Sequence, residues 1–204
     1  MLRGLYAITD PVLTPPPTLL HQVLSALRGG ARVIQYRDKT SPEPLRQHMA
    51  LQLRELTRNM GALLIINDDV ELCLQCNADG VHLGQEDTPV NHARQQLGRG
   101  KIIGATCHGS RELAEQAMAQ GANYLAFGRF FPSRTKPDAK PAELDALRDF
   151  VRTCPLPTVA IGGITLNNAA PLIDAGFSML AVINDLFDRD DIEPHCQQYQ
   201  ALFQ

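Results

Sequence analysis

No stretch of this chain stays apolar for the ~18 residues that a membrane-spanning helix needs. Met1-Leu2-Arg3-Gly4 enters a strand-like run instead of a signal peptide. The expectation is a cytoplasmic protein that does not work on a membrane. A basic run is missing too. The formal charge of -3 is spread over the whole chain, so no attraction to nucleic acid is expected and a small anionic ligand suits the balance better. The five cysteines are an odd number and read as reduced thiols, not as a disulfide framework. Cys73-Leu74-Gln75-Cys76 has zinc or redox spacing, but no second such pair follows, and its helical setting after Asp69 favours packing. A glycine-rich dinucleotide fingerprint is also missing where it would be needed, because Thr9-Asp10-Pro11 follows the first strand-like run.

What is present is a regular alternation. The 204 residues, 44% hydrophobic and 20% charged, suit one domain spanning 1–204. Short apolar runs bounded by turn residues occur at Leu5 to Ile8, Arg32 to Tyr36, Ala62 to Ile66, Gly80 to Leu83, Lys101 to Ala105, Tyr124 to Phe127, Thr158 to Ile161 and Met179 to Ile183. Each is followed by a helical pattern, so they read as buried parallel strands. Eight such units predict a closed (β/α)8 barrel, with an open doubly wound sheet as the alternative. Pro15-Pro16-Pro17 leads into the first helix, predicted over Leu19 to Leu27 with Thr18 as its cap.

The polar residues stand where the apolar runs stop. In a parallel barrel these C-terminal strand ends share one cleft. Arg37 and Lys39, two positions apart after the second strand, offer a guanidinium fork and a point charge suited to linked phosphates; ion pairs to Asp38 or Glu43 on a wet loop are the plainer use. Asp68 ends the third strand and Asp87 follows the fourth, so the two carboxylates can share a cation, with phosphate oxygens and waters completing a Mg²⁺ shell. For Asp69 a helix cap is the better role. After the sixth strand, Phe130 to Pro137 offers Ser133, Thr135 and Lys136 between stiffening prolines, as expected of a loop that closes on an anion, although a surface turn would look the same. Gly162-Gly163 after the seventh strand and Val182-Ile183-Asn184 after the eighth lie where barrels often bind phosphate. His108 suits either a general base or a polar strand end, His82 a structural role near the rim, and His195 a helix without a site.

In several ordered motifs the chain resembles the thiamine-phosphate synthase family along nearly its whole length. They are Gly4-Leu5-Tyr6-Ala7-Ile8-Thr9-Asp10, Gln35-Tyr36-Arg37-Asp38-Lys39, Ile66-Asn67-Asp68-Asp69, Ala78-Asp79-Gly80-Val81-His82-Leu83-Gly84-Gln85-Glu86-Asp87 and Val159-Ala160-Ile161-Gly162-Gly163-Ile164. The resemblance implies a Mg²⁺-dependent (β/α)8-barrel transferase of thiamine biosynthesis. Its reaction joins 4-amino-2-methyl-5-(diphosphooxymethyl)pyrimidine to 4-methyl-5-(2-phosphooxyethyl)thiazole, including the carboxylated thiazole, and yields thiamine phosphate and diphosphate. It implies small phosphorylated molecules as partners and leaves a homo-oligomer open.

Carried over by position, the resemblance assigns Gln35, Tyr36, Arg37, Asp38, Lys39, Asn67, Thr106 and Lys136 to the pyrimidine diphosphate, with Arg37, Lys39 and Lys136 as the catalytic charges. It assigns Ser133, Arg134, Thr135, Gly163, Ile183 and Asn184 to the thiazole phosphate, and Asp68 and Asp87 to the metal. Thr106 replaces a usual serine, Arg129 a usual proline, Ser133 a usual threonine and Asn184 a usual small residue. A thiazole tautomerase on the same barrel would need no diphosphate-and-metal set, and a non-catalytic phosphate sensor would have no reason to keep one intact.

Overall fold

The computed structural model describes residues 2–133 and 140–204. Its strands are β1 (Gly4–Ile8), β2 (Val33–Tyr36), β3 (Leu63–Asn67), β4 (Gly80–Leu83), β5 (Ile102–His108), β6 (Tyr124–Phe127), β7 (Thr158–Ile161) and β8 (Met179–Val182). The helices are α1 (Pro16–Arg28), α2 (Glu43–Asn59), α3 (Val70–Gln75), α4 (Val90–Leu97), α5 (Arg111–Ala119), α6 (Leu144–Thr153), α7 (Ala170–Asp174), α8 (Asn184–Phe187) and α9 (Ile192–Ala201). The strands are parallel and close into a barrel, with β1 paired to both β2 and β8. Closure decides against an open sheet. The largest departure from the expected strand bounds is in β5, which runs on to His108 across a register shift after Thr106.

Side chains alternate across each strand because the pleat has a period of two. In β1, Leu5 and Ala7 pack outward under the helices while Tyr6 and Ile8 point into the barrel. The interior layer also holds Val33, Ile65, Tyr124, Val159 and Met179. Both faces are buried, so the strands read as apolar runs with little alternation. Tyr124 needs room that its neighbour supplies: a Cβ on Gly104 would fall on the Tyr124 ring. The two strands are adjacent at that level, with Gly104 opposite Tyr124.

The first helix begins at Pro16, not at Leu19, and Thr18 is inside it, not at its cap. Proline at N1 or N2 has the right fixed φ and lacks an N–H that would go unpaired there, so no side-chain cap is required. Thr18 Oγ1 instead donates to Gln22 Oε1 at 2.8 Å. Asp69 does cap α3, accepting from Leu72 N at 2.8 Å. Asp69→Ala is expected to lower stability by about 1 kcal/mol, read as an earlier urea midpoint with no change in metal dependence. Cys73 and Cys76 are buried on and after α3, and burial pushes the Cys73 thiol up to about 12. A thiol so far from ionisation is a packing group.

Candidate active site

Beyond β2 the chain turns toward the barrel mouth. Arg37 is fastened through its backbone, its N donating to Thr9 Oγ1 at 2.9 Å and its O accepting from the same hydroxyl at 3.3 Å. Its guanidinium faces Asp10 across the top of β1, with Nη1 to Oδ2 at 3.7 Å. Asp10 in turn organises its own loop by accepting from Val12 N at 3.0 Å. Lys39, two residues on, reaches the end of β3 and places Nζ 2.7 Å from Asp68 Oδ2. Arg37 and Lys39 thus meet the mouth, each against a carboxylate from a neighbouring strand.

The intervening residues do something else. Gln35 shares the inward face with Val33, so Tyr36 must point the other way, and it packs with Ile34 under the helices. Its hydroxyl donates to Asp38 Oδ2 at 3.5 Å. The other Asp38 oxygen accepts from Thr40 N at 2.9 Å, Thr40 Oγ1 at 3.0 Å and Ser41 N at 2.9 Å. Burial pushes the Asp38 carboxyl up, but the hydrogen bonds from Ser41 and Thr40 outweigh it and hold the group below the ordinary range. Both the Tyr36 and Asp38 side chains are thus engaged by the protein's own groups. Strand alternation turns the first away from the mouth, and the second is the anchor of its own turn.

Asp68 sits at the end of β3 in the left-handed region, φ 65°, with its N donating to His82 O at 2.8 Å. That backbone conformation is costly for a residue with a Cβ and aims the carboxylate across the mouth. Asp87, on the loop after β4, accepts from Gly84 N at 2.6 Å. The two carboxyl groups are close enough to act on each other's proton affinity. Burial disfavours charge on both. Asp68 stays low because Asp87 and Lys39 donate to it, while Asp87 is raised by burial and by the carboxylate beside it. The pair holds one proton more tightly than an isolated aspartate would.

Two carboxyl groups forced together must share a proton or a cation, and this hard-oxygen pair fits a divalent ion such as Mg²⁺. Among the described residues no cluster of three or more His, Cys, Asp or Glu converges. A groove lined by Lys39, Asn67, Asp68 and Thr88 opens beside the pair.

Inside the mouth, polar side chains from five strands form a line. Gln35 Nε2 donates to Tyr6 OH at 2.7 Å. Tyr6 and Tyr124 share a hydrogen bond of 2.7 Å, and Tyr124 OH meets His82 Nδ1 at 2.9 Å. His82 Nε2 meets Thr106 Oγ1 at 2.9 Å. Burial raises both phenol pKa values well above the ordinary, so both keep their protons. His82 is thus a member of an interior line and not a rim residue. His108 is exposed at φ 50°, its O accepting from Gly128 N at 3.0 Å.

The opposite side of the mouth is built from β6, β7 and β8. Phe130 N donates to Ile161 O at 3.2 Å and Phe131 N to Gly162 O at 3.0 Å, laying the segment before Ser133 along the end of β7. Gly163, at φ 62°, faces that segment: a Cβ there would collide with Pro132 O and come 2.9 Å from Phe131 C. Asn168 Nδ2 holds Gly163 O at 3.0 Å. Ile183 precedes α8, and Asn184 is its first residue. Ser133 is half-buried at the edge of the described chain, whereas the assignments to Arg134, Thr135 and Lys136 lie outside the described residues.

Asp10, Tyr6, Tyr124 and His82 were not among the expected site residues. For the two tyrosines a signal exists, since a phenol on the inward face of a barrel strand has to find a polar partner. For Asp10 no local signal exists, as its relation to Arg37 depends on the β1–β2 pairing.

The family model described as thiamine monophosphate synthase matches residues 5–186. A thiamine-phosphate synthase of Alcanivorax borkumensis is 52% identical over 206 residues, covering 100% of this chain and 95% of its own length. One from Saccharophagus degradans is 51% identical, covering 92% and 87%. Among solved structures, a thiamine phosphate pyrophosphorylase from Pyrococcus furiosus superposes with a TM-score of 0.89 at 36% identity, covering 98% of this chain and 95% of that one.

Proposed function

The chain belongs to the thiamine monophosphate synthase family, and on that premise we propose how its barrel mouth joins 4-amino-2-methyl-5-(diphosphooxymethyl)pyrimidine to 4-methyl-5-(2-phosphooxyethyl)thiazole with release of diphosphate. The observation that carries the assignment is the meeting of Lys39, Asp68 and Asp87 from the ends of three successive strands. A cation beside a pair of carboxylates suits a diphosphate bound together with a divalent ion. It has no use in an isomerase acting on the thiazole alone.

As the bond between the pyrimidine methylene carbon and the diphosphate oxygen breaks, negative charge grows on the leaving group. Arg37, held by Thr9 and opposed by Asp10, and Lys39 from the end of β2 meet that charge. Lys136 is the third assigned charge. Mg²⁺ held by Asp68 and Asp87 would add positive charge at the leaving oxygens. The aminopyrimidine spreads the cation left on its methylene carbon, and the thiazole nitrogen attacks that carbon, so no protein nucleophile takes part. Gln35, Asn67 and Thr106 orient the pyrimidine from the inward faces of β2, β3 and β5. Gly163, Ile183 and Asn184, with Ser133, Arg134 and Thr135, take the thiazole phosphate on the opposite side. Ordering two substrates against each other allows up to ~7–11 kcal/mol of barrier lowering. Both substrates carry phosphate charge and do not cross a lipid bilayer unaided, which supports a cytoplasmic site for the reaction.

The direct test mixes both phosphorylated precursors with Mg²⁺ and follows diphosphate and thiamine phosphate. Equimolar formation of the two is expected. Rearranged thiazole without diphosphate release would replace this reading with the isomerase.

A further inference from the structure

The line Gln35–Tyr6–Tyr124–His82–Thr106 has a property that its members lack singly. Gln35 is 3% exposed, Tyr6 1%, Tyr124 0% and His82 9%, so bulk water cannot substitute for a lost partner along most of its length. Each tyrosine and the threonine has one hydroxyl proton, and a neutral histidine has one ring proton. The direction of any one hydrogen bond therefore sets the direction of the next.

A diphosphate oxygen can only accept. A Thr106 hydroxyl that bonds it must donate outward, leaving its oxygen to accept from His82 Nε2–H. His82 Nδ1 then accepts from Tyr124, Tyr124 accepts from Tyr6, and Tyr6 accepts from the Gln35 Nε2–H that already lies 2.7 Å away. One of the two amide protons is engaged by Tyr6, and the group turned the other way across the amide is the carbonyl oxygen. The reverse direction needs the amide turned over and every proton along the line moved. Gly104 is part of this arrangement, because only a residue without a Cβ leaves the slot in which the Tyr124 ring reaches both neighbours.

We propose that this line is a polarity relay for substrate choice: donation from Thr106 to the diphosphate fixes the Gln35 oxygen outward as an acceptor, which selects a pyrimidine with a 4-amino donor over one with a 4-oxo acceptor. Tyr6, Tyr124 and His82 are then specificity-determining positioning residues that act through Gln35 and Thr106. The proposal rests on the placement of the pyrimidine diphosphate at those two residues. A site whose buried groups are arranged for one hydrogen-bonding pattern can reject the opposite pattern by up to ~10⁴-fold, far more than a difference in size allows.

The test compares kcat/KM for the 4-amino diphosphate with that for its 4-oxo analogue, with thiazole phosphate and Mg²⁺ present, in the parent protein, Tyr124→Phe and Tyr6→Phe. The intrinsic reactivity difference between the two rings cancels when the ratio is compared across variants. Cutting the line frees the Gln35 amide to turn, so the preference for the 4-amino substrate is expected to fall at least about tenfold in both variants. A purely structural role would slow both substrates alike and leave the ratio unchanged. An unchanged ratio in variants that melt cooperatively overturns the relay. Should Tyr124→Phe not fold, Tyr6→Phe alone decides. Gln35→Leu separates the levels: if it leaves turnover and KM for the pyrimidine intact, the placement of the substrate is wrong and the relay falls with it. If it impairs them while the tyrosine variants keep the parent ratio, only the relay is lost.

Discussion

Asp68→Ala and Asp87→Ala are each expected to lower kcat/KM on the order of 10²–10³-fold, the loss typical of removing one fixed stabiliser of growing charge. Two protein carboxylates leave no redundancy for a cation that depends otherwise on substrate oxygens and water. The variants should differ in what else they disturb. Asp68→Ala also removes the partner of Lys39 Nζ, whereas Asp87→Asn keeps an oxygen for the hydrogen bond from Gly84 N and deletes only charge. Asp87→Asn should therefore melt no earlier than the parent without metal, because it ends the repulsion between two adjacent carboxylates, yet it should lose Mg²⁺-dependent diphosphate binding in calorimetry.

The raised carboxyl of the pair sets the sign of the pH effect. A group whose pKa lies above the ordinary aspartate value takes up its proton earlier on acidification, so metal affinity should begin to fall at a higher pH than for an isolated aspartate. Full activity in excess chelator would remove the metal from the scheme altogether.

Lys39→Ala and Gly163→Val are expected to separate the two sides of the mouth. Removing the Lys39 charge should act mainly on kcat, since positive charge beside the leaving diphosphate matters most as the bond breaks. Gly163→Val should raise KM for thiazole phosphate with a smaller effect on KM for the pyrimidine. Its physical cause is specific to this fold. A side chain at position 163 would run into the backbone of Phe131 and Pro132, and the left-handed φ of 62° disfavours a β-branched residue in any case. The substitution therefore acts by displacing the segment that carries the chain to Ser133, not by filling the ligand's space. Steady-state kinetics with each substrate varied in turn would show the split, and matching effects on both substrates would mean that the two sides are not distinct.

Much of this architecture is legible in the sequence. Runs such as Gly80 to Leu83 and Tyr124 to Phe127 have their observed bounds in the sequence, because a strand buried on both faces is apolar throughout and must be punctuated by polar turn residues. The polar residues that end those runs, Arg37, Lys39, Asn67, Asp68 and Asp87, can be listed from the chain alone, because a parallel barrel brings every strand's C-terminal end to one face. Strand alternation would also have turned Tyr36 away once Gln35 was taken as inward.

Pairing between distant residues belongs to a different level. Asp10 braces Arg37 only because β1 and β2 are neighbours in register, and Gln35 is linked to Thr106 only because three aromatic rings from β1, β4 and β6 meet inside the closed barrel. Sequence patterns report the face a residue occupies, since burial repeats with the local period of its strand. They carry no record of which inward side chain lies opposite, because that depends on the stagger and closure of all eight strands together. Thus the chain by itself determined the barrel and the polar residues at its mouth, and the tertiary structure alone decided which of them meet as partners.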